Sequence, residues 1–446
     1  MQQVRWTRRR FLALSGAALL AQLGVARKAV GQGVFTEPMR VGVVLPEPTG
    51  ATELEHVLSD AVSRSAERGA QMASDEIGFN AEMLGMDFRA VTITVPDAAA
   101  ARQAVHRLVR EEGVYAIVGG FGDEQARALM RAAADQGVVF FNIGSASDAL
   151  RGAECHPNTF HVEASAAMYL DALAGWLVRA AHRRWFLVHE DSDEGRMLYR
   201  RARKAITERH FGVREVGRSA VEPYQADYGT VFDSIQRANP DVVVLLTSAG
   251  DQLSFVQQYD ATGLSARVTG FPHPATQTRL FFRILQERAQ RVDAGYRATL
   301  WETTLDRYGA RELNARFIEQ WRAPMDPPAW AAYASLKILF ESAMFGGATA
   351  VDSLRRYLES PHAVFDVWKG IGTSFRPWDH QLRQSLYLVR VDQERELGHA
   401  VRDEVELASL VGELPAIYMP GTDPVERLDQ LGDLQNDSAC RFSRAN

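Results

Sequence analysis

From residue 40 onward, short apolar runs alternate with longer amphipathic stretches, and this alternation limits the folds that the chain can adopt. A run such as residues 40–45, closed by Pro46, is typical of a strand buried in a parallel sheet. Two successive series of strand and helix units predict two doubly wound α/β lobes. The predicted strands are 40–45, 88–95, 115–119 and 138–143 in the first series, and 185–189, 213–216, 242–247, 267–271 and 292–296 in the second.

Amphipathic stretches predict the helices that separate these strands. Between residues 303 and 360 the pattern turns mostly helical. It then predicts a strand at 386–391, which is followed by a polar tail with little periodicity. The predicted helices are 58–77, 98–112, 124–136, 195–210, 228–238, 252–262, 312–321, 329–345 and 351–358.

The first 31 residues have the organisation of an export signal. Arg8 and Arg9 precede Phe11 and an apolar run at 12–25, which is similar to a twin-arginine signal. The run is too short to span a bilayer comfortably, so we expect cleavage after Gly31 and a soluble, exported protein. An uncleaved anchor helix is the alternative.

The charge balance argues against nucleic-acid binding. The whole chain carries −6, and six of its 50 basic residues lie in the first 31 residues, which contain no acid. Without that segment, 44 basic residues face 56 acidic ones, and the net charge becomes −12. A phosphate-binding surface would need the opposite balance, whereas a small ligand is compatible with it.

The two cysteines, Cys155 and Cys440, do not have the spacing of a zinc site or a CxxC motif. In an oxidising compartment they either form a disulfide that ties the tail to the body or remain as two buried thiols. We expect the disulfide.

Ligands of open parallel sheets bind beyond the carboxyl ends of the strands, so we expect a cleft between the lobes that is lined by the loops there. The loop at 119–125 is either a tight turn or an anion site at a helix N-terminus. The acids of 190–195 either cap a helix or contact a cationic ligand. The candidate ligand-binding residues are Phe121, Gly122, Asp123, Ser145, Ser147, Ser192, Asp193, Glu194, Ser248, Asp251 and His273.

Four of these loops, at 121–124, 145–147, 192–194 and 248–251, together contain five acids. If the acids face inward, a cationic or hydroxyl-rich ligand suits the cleft better than a free amino acid, whose carboxylate would meet like charge. If they cap helices toward solvent, this preference disappears. The acids are Asp123, Glu124, Asp193, Glu194 and Asp251, and the same loops contain no base.

Motifs of catalysis and cofactor binding are missing from the sequence. HExxH, GxSxG, Walker and SxxK patterns do not occur. The glycines at 119–122 depart from a dinucleotide fingerprint because Gln125 takes the third glycine position. His156 and His161 lie around a predicted strand, and we do not expect them to bind a metal ion. We therefore expect neither an enzyme nor a cofactor or metal site.

Several segments follow one another in an order that is characteristic of one family. The chain from 39 to 391 resembles the type I periplasmic solute-binding proteins of branched-chain amino acid ABC transporters. The segments are Arg40-Val41-Gly42-Val43-Val44, Gly69-Ala70 through Asp75-Glu76-Ile77, Tyr115-Ala116-Ile117-Val118-Gly119, Asp135-Gln136-Gly137-Val138, His189 to Gly195, and Asn239-Pro240-Asp241 before the strand at 242–246.

A narrower similarity lies in the C-terminal third, in residues 308–317, 330–333, 369–370, 374–384 and 428–440. These segments resemble the binding-protein branch that is associated with PQQ-dependent alcohol oxidation systems. The branch implies a setting for the protein but does not name a substrate.

The family resemblance implies two lobes joined by crossing strands, in the periplasm. It also implies a small-molecule solute as ligand and an ABC transporter permease as partner. The alternative is an accessory or sensor protein that binds a periplasmic dehydrogenase. The implied division is a signal peptide at 1–31, lobe 1 at 38–161 plus 300–372, lobe 2 at 162–299 plus 373–392, and a tail at 393–446.

The sequence departs from the family at the positions that hold an amino acid. Where relatives place carboxylate-binding hydroxyls, this chain has residues 121–124, with Asp123 and Glu124. Where they place an aromatic residue, it has Asp193 or Glu194, and no acid lies at 271–273 to bind an ammonium group. A zwitterion would be desolvated without partners, which argues against leucine-type ligands.

Overall fold

The first lobe is built on a five-stranded parallel sheet with the strand order β2-β1-β3-β4-β5. The structure, a computed structural model, describes residues 38–392, 398, 400–416 and 421–442, so the expected signal peptide lies outside the described residues. The apolar residues of β1 are completely buried, as expected of a central strand covered on both faces. The strands are β1 (Met39–Pro46), β2 (Phe88–Val95), β3 (Ala116–Gly119), β4 (Val139–Asn142) and β5 (Thr159–His161).

Five helices pack on this sheet, and a sixth, at Ala310–Trp321, contacts the long helix α1 through Arg316 and Glu76. The long helix α1 packs closely on α10, and Gly69 makes this possible because a Cβ there would lie 2.0 Å from the carbonyl oxygen of Ala329. The helices are α1 (Glu53–Glu82), α2 (Ala98–Glu111), α3 (Asp123–Asp135), α9 (Ala310–Trp321), α10 (Pro327–Gly346) and α11 (Val351–Leu358).

The second lobe has a four-stranded parallel sheet with the order β7-β6-β8-β9. Its strands are β6 (Arg184–Glu190), β7 (Arg214–Val221), β8 (Val242–Leu246) and β9 (Arg267–Gly270). Its helices are α4 (Ala166–Arg179), α5 (Asp193–Lys204), which continues as a π-helical turn at Ala205–Arg209, α6 (Gly229–Ala238), α7 (Ala249–Asp260) and α8 (Arg279–Arg288).

A third, antiparallel sheet corrects one sequence prediction and includes a strand from the tail. It has the order β10-β11-β12, with strands Tyr296–Thr299, Leu386–Val391 and Ala408–Leu414. The strand predicted at 292–296 as the last of the second series lies at Tyr296–Thr299 instead and pairs with β11, outside the four-stranded sheet. The tail, whose sequence shows little periodicity, provides β12. Apolar patterning indicates that a segment is buried but does not specify its pairing partner.

The rest of the described tail packs on both lobes. It contains α12 (Val401–Glu406) and α13 (Pro424–Leu428). The structure joins Cys155 and Cys440 by a disulfide, with Cα atoms 5.6 Å apart. The amide of Gly432 donates to the Asp171 carboxylate of α4 at 2.9 Å. Within the described ranges, the helices include none that is long and apolar enough to cross a membrane.

Candidate ligand-binding cleft

A cleft of about 460 Å³ lies where the carboxyl ends of the two parallel sheets face each other. Loops after β1, β3 and β4 form its wall in the first lobe, and loops after β6, β7, β8 and β9 form its wall in the second. In a parallel sheet, the loops that follow the strands lie at one edge. Because these edges of the two sheets face each other, both lobes contribute residues to one site.

Most of the residues predicted from the sequence lie in the wall of this cleft. Two of them do not: Asp193 and Asp251 are absent from its lining. The predicted residues that line it are Phe121, Gly122, Asp123, Ser145, Ser147, Ser192, Glu194, Ser248 and His273.

Asp193 and Asp251 occupy other places for different reasons. Asp193 is the first residue of α5, and its side chain points into solvent, where it pairs with Arg196 at 2.8 Å. Asp251 is buried, and its carboxylate accepts hydrogen bonds from the amide of Tyr224 at 3.0 Å and from the hydroxyl of Tyr228 at 3.3 Å. Asp251 therefore holds the loop after β7 in place and does not face a ligand.

The first-lobe wall is fixed by hydrogen bonds around Asn142, the last residue of β4. Its side-chain amide donates to the carbonyl of Ser145 at 2.7 Å and accepts from the amide of Ser145 at 3.0 Å. The hydroxyl of Ser145 then donates to Asp123 at 2.6 Å. Gly144 leaves room for the Phe121 ring, because a Cβ at this glycine would lie 2.3 Å from that ring.

The second-lobe wall is organised around His273. Its Nε2 lies 3.1 Å from the carbonyl oxygen of Thr247, which can only accept, so this nitrogen carries a proton. Its Nδ1 faces the carboxylate of Glu194 at 3.8 Å. Ser192 caps α5 by accepting from the amide of Gly195 at 3.1 Å, which holds the start of this helix at the cleft.

The residues predicted from the sequence leave out six polar residues of the wall: Thr49, Glu55, Ser59, Glu190, Tyr224 and Thr247. Glu55 follows Thr52 by three residues, a spacing typical of a helix start that could have drawn attention to it. Thr247 ends the strand predicted at 242–247, and Glu190 directly follows the strand predicted at 185–189. The loop argument already favoured both positions. Tyr224 lies on a loop after β7 whose strand was predicted too short.

Two of the wall carboxyls have raised pKa values. Burial raises the pKa of Glu55, and repulsion from Asp251 and Glu190 adds to the increase. Burial also raises the pKa of Glu194, where His273 opposes the shift and Asp123 and Glu190 increase it. The carboxyls of the two lobes therefore interact across one cleft. Among the described residues, no group of three His, Cys, Asp or Glu side chains is placed to hold a metal ion.

Two parallel-sheet lobes that share a polar cleft define a two-lobed solute-binding protein. The chain belongs to the periplasmic binding protein family, whose profile matches residues 38–396. A comparison with curated proteins found no significant match.

Solved structures of the same fold match nearly the whole chain. An amino acid ABC transporter substrate-binding protein from Pseudomonas fluorescens is 17% identical with a TM-score of 0.73, covering 92% of this chain and 100% of that one. A branched-chain amino acid ABC transporter ligand-binding protein from Burkholderia xenovorans is 16% identical with a TM-score of 0.75, covering 91% and 99%. An ABC transporter solute-binding protein from R. palustris in complex with benzoate is 16% identical with a TM-score of 0.66, covering 91% and 100%.

Identities this low establish the fold, whereas the ligand depends on the residues of the site. The similarity to the PQQ-associated branch stays a prediction from the sequence.

Proposed function

We propose that this protein is the periplasmic substrate-binding component of an ABC-type transporter and binds a small polar solute between its lobes. The observation that carries the proposal is the cleft itself, whose polar side chains come from both lobes. A solute that contacts both walls favours the closed arrangement of the lobes, which a permease can recognise. The alternative of an accessory protein for a dehydrogenase has no support from the family or from the structural neighbours.

The proposal includes the domain division expected from the sequence. Lobe 1 comprises 38–161 plus 300–372, lobe 2 comprises 162–299 plus 373–392, and the tail begins at 393. The chain then passes between the lobes near 162, 300 and 373, and closure is a hinge motion about these three connections.

Ligand binding can be tested directly on the purified protein. Mass spectrometry of small molecules released from protein purified from the periplasm should identify a solute, and that solute should raise the melting temperature of stripped protein. Phe121→Ala removes a large side chain from the cleft wall and should abolish the increase. Phe211→Ala, at a side chain that is 75% exposed, should preserve it. Equal responses of both variants would contradict binding in the cleft.

Export by the twin-arginine route belongs to the same proposal, although residues 1–31 lie outside the described residues. Replacing Arg8 and Arg9 by lysine should retain the precursor in the cytoplasm. Unchanged periplasmic yield of the double variant would exclude this route.

A further inference from the structure

The charges of the cleft wall have one sign. Glu55 and Asp123 contribute carboxylates from the first lobe, and Glu190 and Glu194 contribute them from the second. The described lining residues include neither lysine nor arginine, and His273 is their only histidine. A ligand carboxylate would enter this field without a cation to pair with, which is strongly unfavourable in a partly desolvated site.

No lysine or arginine of the described residues forms a salt bridge with these carboxylates, and Arg127 and Arg151 act on Asp123 only through longer-range attraction. Glu55, Asp123 and Glu190 form no salt bridge with a described residue, and Glu194 has only the imidazole of His273, at 3.8 Å. Asp123 accepts a hydrogen bond from Ser145, and Glu55 accepts one from the amide of Ala51 at 3.1 Å, so both side chains are held in place. Like charges that repel one another are stabilised together by a cation between them.

A separate observation concerns a hydroxyl without a partner. Thr247 lines the cleft and is only 3% exposed. Its Oγ1 has no hydrogen-bond partner among the described residues. An unsatisfied buried hydroxyl costs free energy, and a ligand N–H or O–H group would remove that cost by donating to it.

The cleft wall also contains aromatic residues that a ligand can contact. Phe121, Phe271 and Tyr224 line the cleft beside the acids. Aromatic faces accept alkyl chains and attract ammonium groups. The site therefore combines negative charge on two opposing walls, an unpartnered hydroxyl and apolar surface.

We propose that the ligand of this cleft is a small organic amine that carries ammonium groups and no carboxylate, and that aliphatic diamines fit it best. The inference rests on the proposed function and names its substrate class. One ammonium group pairs with Glu55 and Glu190, and the other pairs with Asp123 and Glu194, because the carboxylates of each pair interact across the cleft. The methylene chain between them lies against the aromatic residues. A diamine thus neutralises both pairs of carboxylates at once, whereas a monoamine neutralises only one of them.

The test is isothermal calorimetry on the stripped, full mature chain with putrescine, propylamine, leucine, benzoate, glycerol and calcium chloride. Putrescine should bind, propylamine should bind at least about tenfold more weakly, and leucine and benzoate should give no heat of binding. Raising sodium chloride from about 0.05 to 0.5 M should weaken putrescine binding because salt screens the charges.

Variants of the wall separate a specific site from general attraction to an acidic protein. Glu190→Gln and Glu194→Gln should each weaken putrescine binding by about tenfold. Asp193→Asn is the matched control, because it removes one negative charge next to Glu194 from a side chain that points into solvent, and it should leave the affinity unchanged. Thr247→Val should weaken binding without changing its salt dependence.

The remaining outcomes are also decisive. Binding of leucine, benzoate, glycerol or calcium without binding of putrescine would overturn the amine assignment and leave the solute-binding function intact. Equal affinities of the wild type and both Glu→Gln variants would overturn the assignment of the site. If no amine binds and the protein from the periplasm carries no solute, both proposals are wrong.

Discussion

The carboxylate of Asp433 accepts two hydrogen bonds from the guanidinium of Arg201, each at 2.7 Å, so that the C-terminal tail is bound to α5 of the second lobe. Arg201 also pairs with Asp148 at 2.7 Å, one residue after Ser147 in the first-lobe wall of the cleft. Arg201 therefore contacts both lobes and the tail at once. Burial by itself would raise the pKa of Asp433, but Arg201 and Lys204 lower it below its ordinary value.

Removing the charge of Asp433 should loosen the tail. We expect Asp433→Asn to lower the free energy of unfolding by about 1–3 kcal/mol, because two charge-assisted hydrogen bonds are weakened in a partly buried place. Hydrogen exchange should accelerate in residues 429–440. Asp437→Asn, an exposed position four residues later, is the control and should change neither quantity. Equal effects of the two substitutions would mean that the ion pair does not hold the tail.

The disulfide between Cys155 and Cys440 predicts the thiol content of the exported protein. Unfolded, unreduced protein should contain no titratable thiol, because these are the only cysteines. Cys440→Ser should reduce stability by roughly 2–5 kcal/mol, since the bridge closes a loop of 285 residues. Denaturant unfolding with and without reductant measures the difference. Two free thiols per chain would refute the pairing.

The contact of α1 with α10 should not tolerate a side chain at residue 69. We expect Gly69→Ala to destabilise the protein by about 1–3 kcal/mol, because its Cβ would overlap the carbonyl oxygen of Ala329. Gly346→Ala is the matched control at another helical glycine, where the nearest atom lies at 3.4 Å. That variant should be neutral or more stable, since alanine favours the helix. Denaturant titrations of both variants decide the matter.

Glu163 should make the stability depend on pH. This carboxyl is buried and accepts a hydrogen bond from Tyr169 at 2.5 Å, and its pKa is raised to about 7, chiefly by burial. The folded state thus binds a proton that the unfolded state releases above pH 4.5. The contribution of Glu163 is present below that pH and is lost as the pH rises through about 7, up to roughly 3 kcal/mol.

Comparison with Glu163→Gln isolates this contribution. Asp171 and Asp326, with pKa values raised to about 6 and about 7, act in the same direction and cancel in the difference between the two proteins. The variant should therefore lose less stability than the wild type between pH 4.5 and pH 7. Parallel stability profiles of the two proteins would contradict a raised pKa at Glu163.

The sequence predicted the bounds of a strand or helix well where the spacing of its apolar residues matches the face that is buried. The strand predicted at 88–95 and the helix predicted at 351–358 have the bounds that the structure gives to Phe88–Val95 and Val351–Leu358. Helix α4 was missed because it is buried on nearly all sides, so its apolar residues do not form one stripe. The strand Tyr296–Thr299 was assigned to the wrong sheet because its partner, β11, lies about 90 residues later in the chain.

By itself, the sequence determined that strands and helices alternate and that loops with polar residues follow the strands, because periodicity and turn chemistry act between neighbouring residues. Only the tertiary structure decided which acids face the cleft. Glu194 lines it whereas Asp193 points to solvent, since successive residues at a helix start project in different directions. The side chain of Asp251 is buried in the protein, where it accepts a hydrogen bond from the amide of Tyr224. Glu55, which is distant in sequence from the other acids, lines the cleft. The charge of the site thus depends on side-chain direction and long-range packing, which one-dimensional spacing does not encode.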